Sequence, residues 1–362
     1  MTVSRRHVAP DGGASPGGGA LPGARGPRPA RGVPFAAVPL AVALLAGLLA
    51  ACGDDPASGD GRVRAATTVA PITSIVSAVG GDRVAVEGIV PEGADSHTFE
   101  PPPSVARAVA EADVLFMNGL GLEEPTRDVA EANIGDDARI VRLGDEVLPP
   151  DEQIYDFSYP EEGGLPNPHA WTHPPLAVRY AEVVRDVLAE LDPGGAATYD
   201  ANLAAFTERA DRLDAAMRDA TRTVPPEHRV LLTYHDSWAY FARDHDWEVI
   251  GAIQPSDLSE PSPRDVAALI DQIRERDVPA IFGSEVFPSQ VLRQIGAETG
   301  ARYVDVLRDD DLPGDPGDEE HSWLGMMRFN FVTMVEAMGG DAAALEAVPV
   351  AATAPDEAVY SQ

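Results

Sequence analysis

Residues 196–224 read AATYDANLAAFTERADRLDAAMRDATRTV, and this stretch decides the predicted fold. Its apolar residues recur three and four positions apart over about 29 residues, until Pro225 and Pro226 end the pattern. This spacing predicts one amphipathic helix with a proline stop. At 1.5 Å per residue such a helix would be roughly 43 Å long, enough to run from one domain into another. We therefore predict a bridging helix between two domains.

The segments on both sides of this helix alternate between predicted strands and helices. The predicted strands before it are RVRAATTVAPI, RVAVEGIV, DVLFMNG and ARIVRLG, and those after it are RVLLTYH, WEVIGAI, PAIFGSE and ARYVDVL. Strands that alternate with helices indicate a parallel sheet with crossover helices. The predicted fold is α/β, with two lobes joined by the bridging helix, each a mostly parallel four-stranded sheet flanked by helices.

The N-terminus has the pattern of a lipoprotein signal peptide. An uncharged run from Phe35 to Ala50 is too short for a typical membrane-spanning helix and suits a secretory signal, with an uncleaved anchor helix as the alternative. It leads into Leu-Ala-Ala-Cys-Gly, which resembles a lipobox around Cys52, the only cysteine. We predict cleavage before Cys52 and attachment of lipid there, which would anchor the protein to the outer face of the bacterial cell membrane.

These patterns divide the chain into six predicted segments. They are a signal peptide (1–51), a flexible tether (52–62), an N-terminal α/β lobe (63–175), a helical region with the bridging helix (176–226), a C-terminal α/β lobe (227–345) and a tail (346–362). Residues 145–168 are acidic, rich in proline and without period, which predicts a solvated surface loop.

Three histidines and one aspartate follow or lie near predicted strands. His97 lies in GADSHTFEPPP, His169 in NPHAWTHP, His235 after VLLTY, and Asp309 in VDVLRDDDLPG. Ligands of open α/β sheets gather at the carboxyl ends of strands. Three imidazoles and a carboxylate suit a divalent transition metal such as zinc, while the carboxylate also accepts manganese. Scattered structural histidines are the alternative that the spacing alone leaves open.

The charge and the motifs exclude other classes of function. A formal net charge of −32 argues against nucleic acid as a partner, because phosphate binding needs a basic face. A closed four-ligand shell indicates binding rather than catalysis. A metallohydrolase would need an open coordination position and a general base, and the chain has no His-Glu-x-x-His motif. We therefore predict that the protein is not an enzyme; a surface adhesin stabilised by metal would share the site and differ in its partner.

Several motifs occur in an order that resembles one known family. The lipobox, GADSHTFEPPP, ADVLFMNGLGLE, NPHAWTHP, TYHDSWAYFARDHDW and GARYVDVLRDD together resemble the cluster A-I metal-binding lipoproteins, the solute-binding components of zinc and manganese ABC transporters. The resemblance spans roughly residues 65–340 and implies two lobes held at a nearly fixed angle. It also implies a ligand set of His97, His169, His235 and Asp309. Asp310 and Asp311 compete with Asp309 for the last position.

The sequence departs from the family pattern in two respects. His173 stands in HAWTHP where the family usually has aspartate, which makes it either an alternative ligand or a support for His169. The chain also lacks the histidine-rich loop of many zinc-specific members. We expect Glu100 to support the loop of His97, and Glu285 to act as a supporting residue near the ligands. The histidines without a motif are predicted to lie at the surface: His228, His245 and His321.

The sequence therefore predicts a lipid-anchored, monomeric receptor outside the cytoplasm. Its predicted cargo is Zn²⁺, with Mn²⁺ as the alternative, and its predicted partner is the membrane permease of an ABC transporter.

Overall fold

The structure is a computed structural model that describes residues 61–254, 261–284, 289–351 and 358–360. The predicted signal peptide, Cys52 and Glu285 lie outside these described residues. The strands are β1 (Val63–Thr67), β2 (Val84–Gly88), β3 (Val114–Met117), β4 (Arg139–Arg142), β5 (Val230–Thr233), β6 (Glu248–Ala252), β7 (Ala280–Ser284), β8 (Arg302–Leu307) and β9 (Val359–Tyr360).

The described helices lie between and after these strands. They are α1 (Ala70–Gly80), α2 (Pro103–Glu111), α3 (Glu124–Asn133), α4 (Leu143–Val147), α5 (Pro174–Leu191), α6 (Ala196–Thr221), α7 (Ala239–Asp244), α8 (Pro263–Arg276), α9 (Gln290–Thr299), α10 (Trp323–Ala337) and α11 (Ala343–Glu346). In the described part of the chain, no helix combines the length and the apolar character that crossing a bilayer requires.

The strands form two separate parallel sheets, which confirms the predicted α/β class. The first sheet has the order β4-β3-β1-β2-β9 and the second has the order β6-β5-β7-β8. The first sheet has five strands rather than the predicted four, because the end of the chain returns to pair with β2 through Glu87–Val359 and Gly88–Tyr360. The predicted tail therefore contributes an edge strand to the N-terminal lobe.

Helix α6 is the long helix that the opening stretch predicts, and it contacts both lobes. Near its start, the Asn202 side chain donates a hydrogen bond to the carbonyl oxygen of Val79 in α1. At its end, Thr221 accepts a hydrogen bond from the indole of Trp247, just before β6, at 2.9 Å. Four residues separate the end of α5 from the start of α6, and the two helices pack along each other. These contacts fix both lobes to one rigid element.

One continuous apolar core runs through both lobes. It includes Phe116 of β3, Met217 of α6 and Phe282 of β7, all of them fully buried. Helix α10 adds to it by packing against α1 and α6 as well as β8. A second, smaller core covers the other face of the first sheet. Because packed interiors resist deformation, a shared core of this kind disfavours a large hinge motion between the lobes.

The first lobe also buries one carboxyl group, that of Glu123 before α3. Glu123 accepts hydrogen bonds from the Thr68 hydroxyl at 2.7 Å and from the backbone N–H groups of Asn118 and Gly119 at 2.7 and 3.2 Å. Burial nevertheless raises the pKa of Glu123 from 4.5 to about 7, since it disfavours the ionised form more than these hydrogen bonds favour it.

This raised pKa predicts that Glu123 makes folding stability depend on pH. The folded chain holds the proton more tightly than the unfolded chain, so the contribution is complete below pH 4.5 and is lost as the pH rises through 7. We expect the stability of the wild type, relative to Glu123→Gln, to fall by about 3 kcal/mol between pH 4.5 and pH 8. Urea unfolding of both proteins across this range measures the difference, and a difference independent of pH would contradict the prediction.

Candidate metal centre

Three of the predicted ligands converge on one point. His97 lies in the loop after β2, His235 follows β5, and His169 precedes a short 3-10 turn (170–172) that leads into α5. The Nε2 atoms are 3.2 Å apart for His97 and His169, 3.1 Å for His97 and His235, and 2.9 Å for His169 and His235. His169 and His235 are buried and His97 is partly buried. The residues are separated by up to 138 positions in sequence, so the tertiary fold alone brings them together.

Neighbouring amides fix which ring nitrogens carry the lone pairs. Asn167 donates through its side-chain nitrogen to Asp156 and to the carbonyl oxygen of Asp236, so its oxygen accepts from Nδ1 of His169 at 2.9 Å. The Gln254 oxygen likewise lies 2.7 Å from Nδ1 of His235. With Nδ1 protonated, a neutral imidazole has its lone pair on Nε2. Two such lone pairs therefore face each other at 2.9 Å.

The surroundings favour neutral rings in this cluster. Burial, together with the neighbouring His235, holds the pKa of His97 well below its usual range. The pKa of His169 is lowered in the same direction by burial and by the other two imidazoles. Metal binding requires neutral imidazole, so both rings have lone pairs available for a metal at neutral pH.

The three neighbouring aspartates after β8 have different surroundings. Asp309 is buried, with one oxygen 3.9 Å from Nε2 of His235. Its two oxygens accept from the hydroxyls of Ser237 and Ser284. Asp310 accepts from Ser96, and Asp311 pairs with Arg308. Among the three, Asp309 is therefore the one that faces the cluster. It lies slightly outside the cluster, because the cluster's ligand atoms that lie within 4.8 Å of one another, among the described residues, all belong to the three histidines.

The loop that carries His97 is held by aspartates rather than by Glu100. Asp95 accepts from the backbone N–H of His97 at 2.9 Å and from the Thr98 hydroxyl at 2.6 Å. Asp310 accepts from the backbone N–H and the hydroxyl of Ser96 at 3.0 and 2.8 Å, which ties this loop to the second lobe. Glu100 is exposed and makes no hydrogen bond or ion pair within the described part of the chain. The expected support by Glu100 is therefore absent from the structure.

The loop of residues 145–168 covers the cluster, whereas the sequence predicted a solvated surface loop. The Tyr159 hydroxyl lies 3.5 Å from Nε2 of His97, and the Ser158 hydroxyl donates to the carbonyl oxygen of Gln254 at 2.8 Å. An open cavity of about 310 Å³, lined by His97, Tyr159 and Leu165 among others, connects this region to solvent. Tyr159 could not be identified from the sequence, because the loop has no periodicity that distinguishes an inward-facing side chain.

Two of the histidines predicted to lie at the surface are buried. His245 is 2% exposed, with Nε2 2.9 Å from Asp214, and His321 is 4% exposed, with Nε2 3.1 Å from Glu92. His173 does not join the first cluster either. Its Nε2 lies 3.2 Å from Asp244. Each of these rings is buried beside a carboxylate that is distant in sequence, and no local pattern indicates such a pairing.

Comparison with known proteins supplies the family. The family described as "Zinc-uptake complex component A periplasmic" matches residues 66–337. The "Manganese-binding lipoprotein MntA" of Halalkalibacterium halodurans is 30% identical over 309 residues, which cover 84% of this chain and 98% of the relative. The "Iron-binding protein YfeA" of Yersinia pestis is 29% identical over 79% of this chain and 89% of its own length.

A solved structure gives the same result for the fold. The periplasmic zinc binding protein TroA from Treponema pallidum superposes with a TM-score of 0.69 at 28% identity, covering 77% of this chain and 99% of that one. The fold and these relatives define a class, the metal-binding solute-binding proteins of ABC transporters. The chain belongs to the zinc-uptake complex component A family. The names of its relatives include manganese, iron and zinc, so membership alone does not select the metal.

Proposed function

We propose that this protein captures Zn²⁺ outside the cytoplasm and delivers it to the membrane permease of an ABC transporter. Its proposed ligands are His97, His169, His235 and Asp309. The observation that carries this proposal is the 2.9 Å approach of Nε2 of His169 and Nε2 of His235, with Nδ1 of each ring beside an amide oxygen. Such an arrangement is repulsive until a cation lies between the nitrogens. Four-coordinate zinc with bonds of about 2.0–2.1 Å separates its ligand atoms by roughly 3.3 Å, so the cluster needs to expand by only a few tenths of an ångström.

The donor set favours zinc over manganese. Imidazole suits zinc, whereas manganese prefers a larger, oxygen-rich shell. Among the described carboxylates, Asp309 alone has an oxygen within 4.0 Å of one of these imidazoles, and hydroxyls from Ser237 and Ser284 already bind its two oxygens. That arrangement suits the carboxylate to give one oxygen to the metal. Together with the three imidazole nitrogens, this oxygen would complete a tetrahedral shell.

The class of protein supports the proposed anchoring and the proposed partner. Relatives carry the name lipoprotein, and the lipobox around Cys52 predicts the same modification here. A lipid anchor would hold a monomeric receptor close to the permease, and the open cavity beside His97 and Tyr159 offers a path for the metal. We propose that release occurs through this opening, by movement of the 145–168 loop.

The test is a direct competition between metals. The full chain, purified in detergent and stripped with chelator, is titrated with Zn²⁺ and Mn²⁺ separately and then with both at equal concentration. Preferential retention of zinc supports the proposed cargo. Preferential retention of manganese keeps the receptor function and replaces the cargo, while the absence of tight binding for either metal would overturn the proposed function.

Alanine substitutions at two of the neighbouring aspartates test the fourth ligand. We expect Asp309→Ala to weaken zinc binding by at least about 10- to 100-fold, the loss typical even of groups that only support a ligand. Asp311→Ala is the matched control, because its carboxylate pairs with Arg308, and its affinity should stay within about threefold of the wild type. Isothermal titration measures both affinities, and a larger loss in Asp311→Ala than in Asp309→Ala would contradict the assignment.

A further inference from the structure

A second group of histidines and aspartates lies where α5, α6 and α7 meet. It consists of His173 at the start of α5, Asp214 of α6, Asp244 at the end of α7 and His245 directly after it. Ligand atoms of His173, Asp214 and His245 all lie within 4.8 Å of one another. The two imidazole rings meet edge to face, with their centroids 5.7 Å apart. None of these residues belongs to the cluster of His97, His169 and His235.

Each imidazole lies close to a carboxylate, but the two groups are not well aligned for a hydrogen bond. Nε2 of His245 is 2.9 Å from an oxygen of Asp214, and Nε2 of His173 is 3.2 Å from an oxygen of Asp244. Yet both nitrogens are buried and lack a well-aligned hydrogen bond within the described residues. Close but misaligned nitrogen and oxygen atoms are typical of neighbouring ligands of one metal ion, whose bonds point to the ion and not to each other. Their separations are near the roughly 3.3 Å expected around tetrahedral zinc.

The tautomer of His245 adds to this argument. Its Nδ1 donates to the carbonyl oxygen of Phe241 at 3.1 Å, and that carbonyl can only accept. In the neutral ring Nε2 therefore carries a lone pair, which faces the carboxylate of Asp214. A contact between a lone pair and an anion is repulsive unless a proton or a metal cation lies between them. Donation of Nδ1–H to a backbone carbonyl is also the usual way in which proteins orient a metal-binding imidazole.

Two arginines and unequal exposure characterise the surroundings of this group. Arg218 binds Asp214 and Arg243 binds Asp244, so the two arginines hold the carboxylates in place. The histidine side chains are at most 4% exposed, whereas the side chains of Asp214 and Asp244 are 17% and 35% exposed. The carboxylates are therefore the solvent-accessible members of the group, and the imidazoles are its buried members.

We propose that His173, His245 and Asp214, with Asp244 as a neighbouring carboxylate, form a second binding site for a divalent transition metal. Two imidazoles and one or two carboxylates are a donor set for zinc and its neighbours in the first transition row. A metal here would link the start of α5 and the end of α7 to the middle of α6. It would therefore stabilise the junction between the bridging helix and the C-terminal lobe.

The test separates this site from the first one by mutation. The full chain in detergent carries His97→Ala, His169→Ala and His235→Ala together, and is titrated with Co²⁺ while the visible absorption of four- or five-coordinate cobalt and the metal content per chain are recorded. We expect about one bound Co²⁺ per chain, which disappears when His245→Ala is added. His228→Ala, added to the same background, is the matched control and should leave the metal in place.

Several outcomes distinguish the alternatives. No Co²⁺ in the triple variant would overturn the second site and leave a proton as the bridge between His245 and Asp214. The second site would also be overturned if the wild type binds one metal ion that is lost in the triple variant and retained in His245→Ala. Metal retained by the triple variant supports the second site, even if experiments on the wild type show no binding at the first site. If His245→Ala unfolds, as circular dichroism would show, Asp214→Asn replaces it, and binding that survives this substitution would overturn the proposal.

Discussion

Replacing His169 by alanine is expected to abolish tight metal capture at the cluster of His97, His169 and His235, with the zinc affinity of that cluster lowered by more than 100-fold. Loss of a group that merely orients a ligand costs about 10- to 100-fold, and loss of a ligand should exceed this. His169 is fully buried, and its Nε2 lies within 3.2 Å of both other imidazoles, so no water or neighbouring side chain can easily replace it. Isothermal titration of the chelator-stripped wild type and variant measures the change.

Thermal unfolding gives an independent measure of the same loss. A ligand that binds only the folded chain stabilises it by about 4 kcal/mol at 1,000 times its dissociation constant. Through this cluster the wild type should gain this stability with zinc, whereas a site weakened 100-fold in His169→Ala would give no more than about 1.4 kcal/mol at the same concentration. His228→Ala is the matched control, since the one described hydrogen bond of the His228 side chain joins it to the carbonyl oxygen of Met338, and the residue lies outside both clusters. Zinc affinity in His169→Ala within threefold of the wild type would refute the proposed ligand.

Most of the fold could be predicted from local patterns. The bridging helix has apolar residues at helical spacing and a proline stop, and both lobes alternate strands with helices, so the α/β class followed directly. Strand β9 could not be predicted in the same way. It is only two residues long, Val359–Tyr360, and forms because the edge of β2 is available to it. Pairing of this kind depends on the assembled sheet and leaves no periodic signal in the sequence.

In the candidate site, too, some residues could be predicted from local patterns and others could not. His97, His169 and His235 could be singled out because each lies in a motif or directly after a strand. The groups that orient them, Asn167 and Gln254, were missed, because hydrogen bonding to a ring nitrogen depends on tertiary geometry. The burial of His245 was missed for a similar reason. Its partner Asp214 lies 31 positions earlier on a different helix. The sequence pattern there is typical of an ordinary charged residue on an exposed helix face.

Trp171 connects the core of the protein to the candidate metal centre. Its indole N–H donates to the carbonyl oxygen of Asp309 at 2.8 Å, and its own carbonyl oxygen accepts from the indole of Trp323 at 2.9 Å. Its ring centroid lies 5.1 Å from that of His169. Trp171 is fully buried, so it positions two proposed ligands from within the core rather than from the surface.

Trp171→Ala should therefore reduce both stability and metal affinity. Removing a buried tryptophan costs about 3–5 kcal/mol, a large part of the 5–15 kcal/mol that typically stabilises a folded protein. The lost hydrogen bond would also free Asp309, and the new cavity would let the His169 ring move, so we expect zinc affinity to fall by about 10- to 100-fold. Urea unfolding of the metal-free chains and zinc titration of the folded ones measure the two effects separately.

Trp247→Ala is the matched control for this pair of effects. Trp247 is also buried and also donates to a neighbouring element, but its partner is Thr221 at the end of α6 and not a proposed ligand. The control should lose comparable stability while its zinc affinity stays within about threefold of the wild type. An equal loss of affinity in both variants would show that general destabilisation, rather than the placement of Asp309 and His169 by Trp171, controls metal binding.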